Sequence, residues 1–183
     1  MRTLIVGVIL WALLSTVALA ADVITYPTSG NGEVPIAAGT SNVDWDGFYA
    51  GIFGAYQHGQ SSGSGGGDKL GIGIDAGVDT TFNFVLAGAE VALQGIGGPA
   101  GGTSYAQLTG RTGLLLGDSA LLYGAAGYGL DTGPSDESDL LAGGGLEYAL
   151  PGGVSVRAQY LHGFPITGDN AKDQVTLGAQ FHF

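Results

Sequence analysis

Five charged residues carry the chemistry this sequence could perform: Asp75, Glu90, Arg111, Glu147 and Arg157, each on the polar side of a segment of alternating polarity. Glu147 and Arg157 are the most informative pair. The three-residue link Pro151 to Gly153 sets Leu150 against Val154, and counting back along both segments puts Glu147 directly opposite Arg157. Such a pair neutralises buried charge, and its members could also exchange partners with Asp75, Glu90 and Arg111 to open a narrow ion path. The three histidines, His58, His162 and His182, offer less. Their separation disfavours a three-histidine metal site. No serine closely follows His162, whereas acyl transfer needs nucleophile and base within reach. The run Ser61 to Gly67 has the composition of a phosphate loop but lacks the Gly-Lys-Ser/Thr ending that supplies charge and a metal ligand. Cysteine is absent, which excludes thiolate metal sites, cysteine nucleophiles and disulfides. No catalytic residue, cofactor site or metal site is expected.

These charges need a scaffold that is polar on one face and apolar on the other. The last segment shows it most clearly: Val175, Leu177, Ala179, Phe181 and Phe183 share one face, and Gln174, Thr176, Gly178, Gln180 and His182 the other. The same period of two recurs over Trp45–His58, Lys69–Val78, Phe84–Gln94, Tyr105–Leu115, Ala120–Leu130, Leu140–Leu150 and Val154–Phe164, giving eight strands with the last. Ala120–Leu130 is small and apolar on both faces, so its register stays open. Short links at Asp79–Asn83, Leu116–Ser119 and Pro151–Gly153 alternate with longer ones at His58–Asp68, Gly95–Ser104, Asp131–Asp139 and Pro165–Asp173. Only 11% of the residues are charged, where about 25% is usual for a soluble domain. Strands of roughly 9–11 residues suffice to cross a bilayer. The pattern therefore predicts an all-β fold, an eight-stranded antiparallel transmembrane up-and-down β-barrel, with apolar residues outward and the charged five in the lumen.

The start of the chain agrees. Met1-Arg2-Thr3 is a cationic lead, Leu4 to Leu14 an apolar run and Ala18-Leu19-Ala20 a small-x-small cleavage pattern, so residues 1–20 read as a signal peptide. Residues 21–44, with Pro27 and Pro35, read as a flexible periplasmic lead-in, and residues 45–183 as the barrel domain. A net charge of −11 excludes a nucleic-acid binder, which needs a basic stripe. An even strand number places both ends on the periplasmic side, so the longer links face outward and gather Asp131, Asp136, Glu137, Asp139, Asp169 and Asp173. Phe48, Tyr56, Tyr128, Tyr148, Phe164, Phe181 and Phe183 fall near strand ends as interfacial girdles.

Trp45-Asp-Gly-Phe-Tyr-Ala-Gly, Phe84-Val-Leu-Ala-Gly-Ala-Glu-Val, Gly145-Leu-Glu-Tyr-Ala-Leu and Val156-Arg-Ala-Gln-Tyr-Leu, with the Phe183 end, occur in the order found in a known group. Together they resemble the small porin-family outer-membrane β-barrel proteins of Gram-negative bacteria, related to the OmpA-type eight-stranded barrel domain. The resemblance implies residence in the cell outer membrane, contact with its lipid and lipopolysaccharide, and Phe181 and Phe183 as a C-terminal signal to the barrel assembly machinery. It also implies a structural or surface-interaction role in membrane integrity, antigenicity or adhesion to an unnamed host or surface ligand. A narrow small-solute or ion channel is the first alternative and a lipid-A-modifying barrel enzyme the second. Haem or metal capture by His58 or His162 at the outer rim would rest on analogy alone.

Overall fold

The computed structural model describes residues 43–60, 68–98, 101–132, 137–167 and 171–183. The expected signal peptide, the lead-in up to residue 42, the run Ser61 to Gly67, and Asp136 and Asp169 lie outside the described residues. Eight strands follow one another: β1 (Gly47–Gln60), β2 (Asp68–Phe82), β3 (Val85–Gly98), β4 (Gly101–Leu116), β5 (Ala120–Asp131), β6 (Ser138–Leu150), β7 (Val154–Thr167) and β8 (Ala171–His182). Each pairs antiparallel with its neighbours, and β8 returns to β1 to close the barrel. Closure leaves no unpaired edge, which a sheet surrounded by lipid cannot tolerate.

The period-two pattern sorts the side chains as the chemistry of each face requires. Ile52, Leu70, Ile72, Leu93, Leu108 and Leu177 stand outward and exposed, as do the aromatics Phe48, Tyr56, Tyr128, Tyr148, Phe164, Phe181 and Phe183. Inside, the tight-turn end of the barrel is filled by Leu86, Leu121, Tyr123 and Ala149. In β5, whose sequence left the register open, Leu121 and Tyr123 turn inward while Leu122 and Tyr128 face out.

Four expectations are corrected. The link expected at Gly95–Ser104 is mostly ladder: Gly97 pairs with Gly102 and Gly98 with Gly101, and Ile96 is buried inside. Glycine's poor strand preference hides this extension, because hydrogen bonding along the ladder needs no side chain. The turn expected at Asp79–Asn83 shrinks to Asn83-Phe84, with Asn83 at φ 59°. Asp79 thereby stays in β2 and faces the lumen beside Asp75. Asp139, expected on an outer loop, is buried in the wall, because the register shifts between Ser138 and Asp139 and turns both residues inward. At the start, Trp45 does not open β1. Gly47, at φ 121°, bends the chain so that Val43, expected in the lead-in, and Trp45 tuck into the tight-turn end among Leu86, Leu121 and Tyr123.

Candidate functional site

The five charged residues singled out in the sequence converge in the lumen, supplied by β2 (Asp75), β3 (Glu90), β4 (Arg111), β6 (Glu147) and β7 (Arg157), and all are buried. Glu147 and Arg157 are direct cross-strand partners. Arg157 Nε donates to Glu147 Oε2 at 3.1 Å, and its Nη1 donates to Glu90. Arg111 reaches the same Glu147 oxygen through Nη1 at 2.9 Å, so one carboxylate holds both guanidiniums. The other edge of Arg111 grips Asp79, with Nε donating to Oδ1 at 2.9 Å and Nη2 to Oδ2. This two-point match of planar groups is the geometry in which arginine outperforms lysine.

Two aromatic rings lie against the cations. The guanidinium of Arg111 lies 4.4 Å from the Tyr49 ring centre and that of Arg157 5.2 Å, and the Tyr123 ring centre is 5.4 and 6.0 Å from them. Tyr49 also donates its hydroxyl to Glu90 Oε2 at 2.7 Å. Room for these rings comes from glycines on the facing strands, since a Cβ at Gly77 or Gly145 would run into Tyr49 or Tyr123. Burial of this many charges is tolerable because nearly every one meets an opposite charge and a second donor or acceptor.

At the turn end of the network, Ser155 Oγ donates to Glu147 Oε1 at 2.5 Å, and His182 Nε2 lies 3.2 Å from that oxygen and 3.0 Å from the serine. The composition is that of a hydrolase triad, but the geometry is not. The carboxylate sits on the histidine nitrogen nearest the serine instead of the far one, and the serine gives its proton to the carboxylate. Trp45, itself buried, stacks edge-on to His182, ring centres 5.5 Å apart.

Toward the loop end the lumen lining changes to amides. Gln94 and Gln107 both donate to Gln174 Oε1, at 2.8 and 3.1 Å. Above them Asp139 accepts from Tyr105 at 2.7 Å and from Lys172 at 3.1 Å.

On the outer face, near the loop end, a second arrangement repeats. His162 Nδ1 donates to Asp173 at 2.7 Å and Tyr160 donates to the same oxygen at 2.6 Å. His58 Nδ1 donates to Asp68 at 2.7 Å, and Tyr56 hydrogen-bonds that carboxylate too. Both clasps are a Tyr-x-His on one strand and an Asp across the ladder, and His162, Asp173, His58 and Asp68 form one cross-strand row. Among the described residues no three His, Cys, Asp or Glu side chains are placed to hold a metal ion.

Sequence reasoning missed Asp79, Tyr49, Tyr123, Ser155 and His182 as members of the lumen network. The parity of Asp79 with Asp75 was one available signal and the β6–β7 hairpin register, which puts Ser155 diagonally across from Glu147, another; for Tyr49, Tyr123 and His182 only the closed barrel brings distant strands together.

No protein-family model and no curated protein matches the chain. Solved structures do. Ail, the attachment invasion locus protein of Yersinia pestis, superposes with a TM-score of 0.58 at 18% identity, covering 75% of this chain and 99% of that one. Its complex with the heparin analogue sucrose octasulfate gives 0.56 at 17% identity, covering 75% and 99%. Neisserial surface protein A gives 0.56 at 18% identity, covering 75% and 98%. The fold is thus that of small outer-membrane barrels.

Proposed function

We propose that the chain is an integral outer-membrane barrel of a Gram-negative bacterium, with a structural and surface-facing role in membrane integrity, antigenicity or adhesion and with outer-membrane lipid as its principal contact. The observation that carries this is the reversed polarity of the wall. Ile72 is 79% exposed outside while Glu147 has no exposure inside. A belt of this kind in water would be an aggregation site, whereas in hydrocarbon it is the solvent-matched face.

Two features of the lumen favour a structural role over a channel. The ion pairs cross it, and Val43, Trp45, Leu86 and Leu121 pack its turn end. An enzymatic role is disfavoured by the Ser155, His182 and Glu147 geometry, in which the serine hydroxyl is directed at a carboxylate held by two guanidiniums instead of at a histidine base. A sulfated sugar of the kind bound by Ail would find few cations here. Of the five Lys and Arg in the sequence, Arg111 and Arg157 are buried and Lys172 is bound to Glu137 and Asp139.

Expressed in a Gram-negative host, the protein is expected in the outer-membrane fraction and should migrate differently before and after boiling. In planar bilayers it should give no discrete current steps. Recovery from the soluble periplasmic fraction would overturn the membrane placement. Steady single-channel steps that change with Arg157→Gln would replace the structural role by conduction.

A further inference from the structure

Glycine serves two different purposes in this wall. In the lumen it makes room, since a Cβ at Gly77 or Gly145 would run into a tyrosine ring. On the outer face no side chain of the barrel claims the space: a Cβ at Gly54 would meet only the Leu177 carbonyl oxygen, at 4.0 Å, and one at Gly95 or Gly97 would meet nothing within 4 Å. A leucine or isoleucine of the apolar belt would fit at each. Glycine weakens a strand, and where packing does not require it, it marks a place where another molecule approaches the backbone closely.

Gly54 and Gly95 line a groove of about 990 Å³ in the wall, between the exposed side chains of Leu177 and Ile72. Cross-strand register sets Leu177, Gly54, Ile72, Gly95 and Ser104 side by side on β8, β1, β2, β3 and β4. Gly97, the next outward position of β3, continues the bare backbone toward the loop end. Four residues nearer the loops on β8, β1 and β2, the same register sets Asp173, His58 and Asp68 in a row. At about 3.4 Å per residue and a strand tilt of about 40°, the groove begins roughly 10 Å below that row, within one half of a hydrocarbon core about 30 Å thick.

We propose that this face binds one membrane lipid with an ammonium headgroup, its acyl chain in the groove and its amine at the Asp68 and Asp173 carboxylates, a site that presupposes the membrane placement proposed above. The groove supplies the apolar half. Charge decides the headgroup: both carboxylates are on the outer face, with side chains 64% and 29% exposed, and among the described residues no Lys or Arg joins them there. Arg111 and Arg157 are buried, Lys172 is bound to Glu137 and Asp139, and Lys69 takes the inward parity opposite the buried Gln57. An anionic headgroup would therefore meet only like charge. A carboxylate accepts at about four positions, and the donors to Asp173, Tyr160 and His162, both use Oδ1. The half-exposed rings of Tyr56 and Tyr160 beside the two carboxylates offer an ammonium a second favourable contact, with their π faces.

The test is native mass spectrometry of the barrel released from nanodiscs of phosphatidylethanolamine and phosphatidylglycerol, mixed in equal amounts with the same acyl chains. One phosphatidylethanolamine per chain is expected to be retained, several-fold in excess over phosphatidylglycerol. Filling the groove with Gly54→Leu and Gly95→Leu, at positions where a Cβ meets no clash, should abolish retention. Replacing the carboxylates with Asp68→Asn and Asp173→Asn should leave a lipid bound and erase the preference between headgroups. Equal retention of the two lipids by the wild type, or none of either, would overturn the proposal whether or not the variants fold. So would undiminished retention in the filled groove or an undiminished preference without the carboxylates. A barrel that inserts and shows no preference counts against this site alone, whereas failure to insert into nanodiscs would overturn the membrane placement and the site with it.

Discussion

Glu147 in the lumen and Asp173 on the outer face are built from the same parts. Each is a carboxylate on a strand, and each takes a histidine nitrogen and a hydroxyl as donors: His182 and Ser155 for Glu147, His162 and Tyr160 for Asp173. What differs is the surroundings. The Glu147 side chain has no exposure and holds two guanidiniums besides, whereas that of Asp173 is 29% exposed. The same pair of donors, a histidine and a hydroxyl, therefore sits on an interior carboxylate in one place and on a part-exposed one in the other. Burial, and the two guanidiniums that compensate it, decide which carboxylate the fold depends on.

The sharpest way to break this contrast is Arg157→Ala. Among the described residues it strips Glu90 of its one guanidinium and leaves Glu147 with Arg111 as its one guanidinium, and it is expected to destabilise the barrel by about 3–5 kcal/mol, measured by urea unfolding in lipid. Combining it with Glu147→Gln should cost less than the sum of the single changes, because the two side chains interact directly. Additive losses would mean that the pair is not energetically coupled. A smaller effect is expected for Tyr49→Phe, which keeps the ring beneath both guanidiniums and removes only the hydroxyl donated to Glu90. A hydrogen bond to a buried charge is worth about 1.5–3 kcal/mol. A loss near zero would assign the role of Tyr49 to the ring alone.

Those two residues also mark how far the sequence could be read. The opposition of Glu147 and Arg157 was legible because a tight turn fixes the register and the period of two does the rest. Tyr49 was legible as inward-facing but not as a partner of Glu90, since the two stand on β1 and β3 and nothing local relates those strands. Asp79 was hidden by Thr80, Thr81 and Asn83, whose polarity imitates a turn, and Asp139 by the register shift beside it. The strands, their order and the inward face were thus available from alternation. The network's full membership needed closure of the barrel, which the sequence pattern implies but does not index residue by residue.

On the outer face the contrast is sharpened by Asp173→Asn. The Tyr160 and His162 donors lose their charged acceptor, yet the clasp is part-exposed, so the cost should stay below about 1 kcal/mol and shrink further in high salt. A loss as large as that of Arg157→Ala, unchanged by salt, would show that this clasp lies in hydrocarbon and not at its boundary.

The smallest effect belongs to a third carboxylate, the most exposed of the set. Asp46 lies just before β1, outside the strands, and accepts hydrogen bonds from the hydroxyl and backbone N–H of Thr81. These bonds, the side-chain one first, hold its carboxyl below the usual carboxylate range. Because the native group binds its proton less readily than the unfolded one, its contribution is present above the ordinary carboxylate pKa and is lost as pH falls below it. The unfolding midpoints of the wild type and Asp46→Asn should therefore differ by a small constant amount from neutrality down to about pH 5 and converge below about pH 4. Full exposure and salt screening keep that amount small. A gap that persists unchanged into stronger acid would place the contribution of Asp46 in the shape of the β2–β3 corner, not in its charge, and the ordering of the three carboxylates by burial would then hold only for the lumen and the outer face.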